Sequence, residues 1–214
     1  MANDLLVLEA GGRRAAVAPL GAQLKSFRDA DGTELLWQGA PGYWPDTAPI
    51  LFPIIAGIPD DAVTIAGTRY PMPAHGFAHT KRFEPVERGT DHLVLALADD
   101  DETRAHYPFA FRLTVSFALL PERLDVTIGV ENRDRIALPG DVGFHPGFRW
   151  PLEDELGKDA YALTFERPEP APIRRGTGDP IVLLPDPRPT PVGDRVLKPT
   201  DELFEAQAVV FDRF

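Results

Sequence analysis

The chain has 214 residues, 43% of them hydrophobic and 26% charged, with no cysteine. Its 22 Lys and Arg against 33 Asp and Glu leave a net charge of −11, a field that repels polyanions and argues against nucleic acid as a partner. The missing cysteines exclude disulfides, thiolate nucleophiles and Cys-bound metals, so the 5 histidines and the carboxylates must carry any polar chemistry. The start, Met1-Ala2-Asn3-Asp4, places an acid where a signal peptide carries bases. No apolar run approaches the roughly 20 residues that span a bilayer, so a soluble, cytoplasmic protein with no membrane partner is expected.

In chain order, short apolar runs occur at residues 5–8, 15–18, 50–55, 62–66 and 93–97, separated by turn residues. Residues 99–107 offer room for a turn or two of helix. The clearest periodicity follows: Phe111, Leu113, Val115, Phe117 and Leu119 alternate with Arg112, Thr114, Ser116 and Ala118. Period two is the mark of a strand with one buried face. After Pro121-Glu122-Arg123 the alternation resumes as Leu124, Val126, Ile128 and Val130 until Asn132, which predicts an antiparallel hairpin. Further runs lie at 138–144, 161–165, 181–184 and 208–211. Residues 167–199 hold 9 prolines and read as an extended excursion, tied to the same domain by the apolar run at 181–184. Residues 200–207 offer a second short helix, with Thr200 as its N-cap. Many short strands with Gly and Pro between them predict a single all-β domain over residues 1–214, a large antiparallel β-sandwich.

Two histidines stand in distinctive contexts: His75 in Pro73-Ala74-His75-Gly76-Phe77-Ala78-His79, and His145 in Gly143-Phe144-His145-Pro146-Gly147-Phe148. Pro146 keeps His145 out of the helical region. On an extended strand Gly143, His145 and Gly147 share a face, which predicts open space for a ligand over the imidazole. The alternative is a core histidine bonded to a carbonyl. His79 falls on the His75 face if that segment is extended, whereas His92 and His106 read as surface or turn residues. The spacing of His75 and His79 suits a helical metal site, but Pro71, Pro73 and Gly76 argue against helix there, so no metal is expected. Trp37, Tyr43, Trp44 and Trp150 have rings able to stack on a sugar, with core filling the default for Trp37.

These residues resemble the aldose 1-epimerase (galactose mutarotase) family, in particular its shorter bacterial branch. Gly21-Ala22-Gln23-Leu24, Glu34-Leu35-Leu36-Trp37, Tyr43-Trp44 and Pro49-Ile50-Leu51-Phe52-Pro53-Ile54 match its N-terminal signature in order and spacing. His75-Gly76-Phe77-Ala78 and Gly143-Phe144-His145-Pro146-Gly147-Phe148 match its two histidine motifs. The resemblance implies a β-sandwich of the galactose-mutarotase type that binds an aldose in an open groove and interconverts its anomers without cofactor or metal. It casts His145 as the acid acting on the ring oxygen, with His75 beside the same oxygen and His79, Gln207 and Trp44 as sugar contacts. Three departures are visible. The family's base, a glutamate in a C-terminal segment, has no counterpart before Phe214, so this chain is expected to be C-terminally incomplete relative to the family and a poor mutarotase. Glu202, Glu205 and Asp212 are weak substitutes. Ala56-Gly57-Ile58 stands where the family often has arginine, and His79 and Gln207 replace an arginine and an aspartate. A sandwich that binds sugar but has lost catalysis is the main alternative, and a sugar-phosphate enzyme using Arg174-Arg175 a further one. The apolar run 208–211 either pairs with an earlier strand or awaits partners from absent residues or another subunit, which leaves room for a homodimer.

Overall fold

A computed structural model describes residues 4–40, 42–178, 182–205 and 207–212. The chain forms two compact units, residues 1–149 and 150–214. The first unit carries strands β1 (Leu6–Ala10), β2 (Arg13–Ala18), β3 (Gln23–Arg28), β4 (Ile50–Leu51), β5 (Ala62–Ile65), β6 (Thr68–Pro71), β7 (Glu84–Arg88) and β8 (His92–Ala98). Helix α1 (Asp101–Arg104) is followed by β9 (Phe111–Leu119), β10 (Leu124–Asn132) and β11 (Gly143–Phe144). All of its strand pairs are antiparallel.

The alternation read from the sequence builds the core. Phe111, Leu113, Val115, Phe117 and Leu119 of β9 are all buried. They lie beside Leu93, Leu95 and Leu97 of neighbouring β8 and share one apolar cluster with Leu8, Ala15, Val17 and Leu24 from the β1-β2-β3 sheet. The other large sheet runs β10-β9-β8-β7, so β9 is an inner strand. The expected hairpin is present, with Leu124 opposite Leu119 and Asn132 opposite Phe111. The apolar face of β10 is only half-buried and Val130 is 40% exposed, because β10 is an edge strand. Helix α1 is set by Asp100, whose Oδ1 accepts from Thr103 N–H at 2.7 Å while Thr103 Oγ1 accepts from Asp100 N–H at 2.8 Å.

Two expected strands of the first unit shrink to two residues each. Of residues 50–55 only Ile50–Leu51 forms a strand, since Pro53 has no N–H to continue the ladder. Of residues 138–144 only Gly143–Phe144 pairs, after Pro139 and Gly140 have interrupted the run.

The second unit carries β12 (Leu163–Thr164), β13 (Arg174–Thr177), β14 (Val182–Leu183), β15 (Val196–Leu197), α2 (Asp201–Glu205) and β16 (Val209–Val210). Thr200 Oγ1 accepts from Leu203 N–H at 3.1 Å, the capping expected for α2. The run at 181–184 forms β14 beside β13, with Ile181 outside the described residues. The run at 208–211 pairs with the same strand, Val209 opposite Arg175 and Val210 opposite Arg174. Its expected partner is therefore an earlier strand of this chain.

Phe111 is fully buried, its ring 5.1 Å from that of Phe52 and 6.1 Å from those of Phe77 and Tyr107. Phe111→Ala is expected to cost about 3–5 kcal/mol in urea unfolding, whereas Val86→Thr on an exposed edge stays within about 0.5 kcal/mol.

Candidate functional site

One stretch, residues 47–56, holds both histidine motifs by backbone hydrogen bonds. β4 pairs with β11, Ile50 opposite Phe144 and Leu51 opposite Gly143. The next residue, His145, donates its N–H to Pro49 O at 3.1 Å, and Gly147 donates to Thr47 O at 2.8 Å. On the other side Phe52 O accepts from Phe77 N–H at 3.0 Å and Ala78 N–H at 3.2 Å. Gly76 makes this approach feasible: with φ +72° and no side chain it lies against Phe52 O, where a Cβ would collide.

His75 itself has φ 64°, in the left-handed region that non-glycine residues seldom adopt. Two bonds to Ala56 hold it there. His75 N–H donates to Ala56 O at 3.0 Å, and Ala56 N–H donates to the ring Nδ1 of His75 at 3.1 Å. The ring lone pair on Nδ1 is thereby occupied, so the neutral imidazole carries its proton on Nε2. His79 follows in a short 3-10 turn, Ala78–Thr80.

The rings of His75 and His145 are 6.1 Å apart, and that of Trp44 lies 4.9 Å from His145. The sequence thus brings His75, His79, His145 and Trp44 to one place. The open space expected over His145 is not what its glycines provide. A Cβ on Gly147 would lie 2.5 Å from the Trp44 ring, and one on Gly143 would lie 3.1 Å from Ile55 Cδ1. These glycines admit neighbouring side chains, and Gly147 lets Trp44 cover one side of the imidazole. His145 as a whole remains exposed.

Burial lowers the pKa of His145, nearby His75 lowers it further, and Asp46 opposes both. Burial likewise lowers that of His79, whose Nδ1 is enclosed with no hydrogen-bond partner among the described residues; Asp46 raises it and His75 lowers it. Asp46 belongs to a polar chain that the motifs do not single out. Gln23 Nε2 donates to Asp46 Oδ1 at 2.9 Å, while Gln23 Oε1 accepts from Lys25 Nζ at 2.6 Å and from Thr47 Oγ1 at 3.0 Å. Burial lowers the pKa of Lys25, and Asp46 raises it. The available signal was a carboxylate two residues after Trp44, directly before the stretch that holds both histidines.

The other expected residues have the following surroundings. Gln207 belongs to the second unit, where its backbone O accepts from Arg175 Nη1 at 3.3 Å. Arg175 also donates to Leu203 O, and Arg174 donates to Leu184 O and pairs with Asp212 at 3.7 Å, so both are engaged in local structure. Trp150, in the same unit, donates Nε1–H to Lys158 O, and Tyr43 in the first unit is 89% exposed. His92 sits between Asp91 and Glu87 at the surface, and His106 Nδ1 lies 2.7 Å from Pro71 O, in keeping with their expected surface and turn roles. Among the described residues no helix is long and apolar enough to cross a membrane.

An antiparallel β-sandwich with two histidines side by side on strand-end loops defines a protein of the galactose-mutarotase type. A family model described as aldose 1-epimerase matches residues 4–210, and the chain belongs to that family. It is 29% identical over 201 residues to the plasmid-borne protein LacX of Lactococcus lactis subsp. lactis, covering 91% of this chain and 67% of LacX. A galactose mutarotase related enzyme from Lactobacillus acidophilus superposes with TM-score 0.85 at 28% identity, over 96% of this chain and 68% of that one. A galactose mutarotase-like protein from Lactobacillus casei gives 0.84 at 30% identity, over 96% and 70%.

The two depressed histidines set a pH dependence of stability. Below the ordinary histidine value of about 6.5, the unfolded chain binds protons that folded His79 and His145 refuse, so both weaken the fold as pH falls toward their lowered values. His92, raised by Asp91, acts in the opposite sense. Thermal unfolding at pH 5.5 and 7.5 is expected to show a smaller gain toward pH 7.5 in His79→Asn than in the wild type. An equal gain in both would mean that His79 titrates as freely folded as unfolded.

Proposed function

We propose that this protein is an isomerase that interconverts the α and β anomers of a free hexose by acid/base ring opening. The observation that carries this reading is the His75–His145 pair, 6.1 Å ring to ring, with the Trp44 ring against His145. Ring opening consists of two proton transfers, one to the ring oxygen and one from the C1 hydroxyl. Nothing in it calls for a redox or group-carrying cofactor. Protonated His145 gives its proton to the ring oxygen as the bond from C1 to that oxygen breaks, and the Nε2–H of His75 donates to the same oxygen as negative charge gathers on it. The aldehyde turns about its bond to C2 and the ring closes on its other face with the steps reversed. Trp44 offers an apolar ring to the C–H face of the sugar. The family membership and the mutarotase-related names of the two Lactobacillus structures support the same reaction class.

Freshly dissolved α-glucose or α-galactose followed by polarimetry tests this. His145→Ala is expected to lower kcat by roughly 10²- to 10⁴-fold, the range of one positioned acid, with His92→Ala unchanged. As an acid must be protonated to act, the rate limb assigned to His145 falls with rising pH and is centred below about 6.5, because burial and His75 depress its pKa. Equal rates in the two variants, or a limb above that value, would remove His145 from the acid role.

A further inference from the structure

We infer that Trp37 is a positioning residue of the site: its indole N–H fixes Trp44, its backbone N–H fixes Gly147, and His145 is held in one stance between the two. The kinetic arm of this inference rests on the mutarotase reading above, and its spectroscopic arm on the geometry alone.

Both N–H groups of Trp37 point at the surroundings of His145. Nε1–H donates to Trp44 O at 2.9 Å. The backbone N–H donates to Gly147 O at 2.9 Å, and Gly147 N–H donates in turn to Thr47 O at 2.8 Å, so this glycine is gripped from residue 37 on one side and residue 47 on the other. The packing agrees with the bonding. A Cβ on Gly147 would lie 2.5 Å from the Trp44 ring and 3.3 Å from Trp37 Cβ, so both tryptophans meet at the glycine two residues beyond His145. The Trp44 ring in turn lies 4.9 Å from that of His145.

Trp37 can impose a position because its own is imposed. Glu34, 8% exposed, accepts from Phe27 N–H at 2.9 Å and Leu36 N–H at 3.1 Å through Oε1, and from Ser26 Oγ through Oε2. Leu36 pairs with Phe148, and Arg149 N–H donates to Leu35 O at 2.9 Å. Residues 34–37 thus form a fixed edge beside the second histidine motif.

Trp44, by contrast, ends a turn. Its O also accepts from Ala40 N–H at 3.0 Å, and Tyr43 N–H donates to Ala40 O at 3.1 Å. Gly39, with φ 75°, lies against Pro45 O, where a Cβ would collide. These contacts close the turn without the indole. The indole bond ties the turn to the fixed edge, and with it sets how the Trp44 ring stands against His145. Core filling accounts for the bulk of Trp37 but not for a ring N–H aimed at the carbonyl of the residue that covers the imidazole. An acid must lie within hydrogen-bond reach of the atom it protonates, and a misplacement of about 1 Å costs up to ~10²-fold in rate.

The test removes only the indole N–H. Trp37→Phe, and Trp37 replaced by benzothienylalanine, which keeps both fused rings with sulfur in place of the N–H, are made in the full 214-residue chain, with thermal unfolding as a check on the fold. The Cε1–H resonance of His145, assigned by its loss in His145→Ala, carries the ring current of Trp44. Both variants are expected to move it toward the free-histidine position and to leave that of His92 in place. Exchange of α- and β-glucose, followed by NMR exchange spectroscopy, is expected to lose roughly 10-fold in kcat in either variant. In a Trp44→Ala background the same change at Trp37 is expected to cost nothing further, because the ring it positions is gone. A lowered unfolding temperature with the His145 resonance and kcat unchanged marks a merely structural tryptophan and overturns the inference, as does a loss that persists in full in Trp44→Ala. If Trp37→Phe does not fold, the benzothienylalanine variant decides alone. Wild-type exchange no faster than buffer overturns the mutarotase reading, and the His145 resonance then decides the inference by itself.

Discussion

Everything at the site depends on residues 47–56 serving as a common backbone rail. Thr47 O and Pro49 O hold the second histidine motif, Phe52 O and the two backbone groups of Ala56 hold the first, and Pro53 O takes Asp141 N–H at 2.9 Å. The rail is immobilised from behind: Ala48, Ile50 and Phe52 are fully buried in the core cluster. Two loops that are far apart in sequence thus meet because each satisfies its backbone polar groups on one strip of chain. Leaving those groups buried and unpaired would cost more than the ordering that pairing demands.

The same rail accounts for the strain at His75. A left-handed non-glycine residue costs of order 1–3 kcal/mol and persists where its surroundings over-determine it. Here the surroundings are the pair of Ala56 bonds on one side and the seating of Gly76 against Phe52 O on the other, backed by buried Phe77 and Ala78. The observed conformation turns the ring toward His145.

Much of this was legible in the residues, and the limits have physical reasons. The β9–β10 hairpin shows as period two because one face is apolar over its whole length, and the caps of both helices use residue types that bond locally. Pairing of the two histidine motifs was reachable only through the family resemblance, since no local rule links residues 75 and 145. Spacing shows where a side chain is missing but not what fills the gap, and at Gly147 the gap is filled by Trp44. Asp46 carries no local signal, because an aspartate in a Pro-rich turn is unremarkable until β3 brings Gln23 and Lys25 near it, 23 and 21 residues away in sequence.

Two like imidazoles side by side are not equivalent when their surroundings differ. Here one backbone bond distinguishes them. Protonating His75 on Nδ1 would set a ring N–H against the Ala56 N–H that now points at it, whereas His145 has neither nitrogen tied to a backbone donor among the described residues. The negative charge of Asp46 acts on His145 in the direction that favours its protonated form, against burial and against His75. Nδ1 of His75 is thus held as an acceptor, while burial and the neighbouring His75 lower the pKa of His145. Both placements follow from the rail, because the Ala56 N–H that fixes His75 and the Pro49 carbonyl that fixes His145 belong to the same strip of chain.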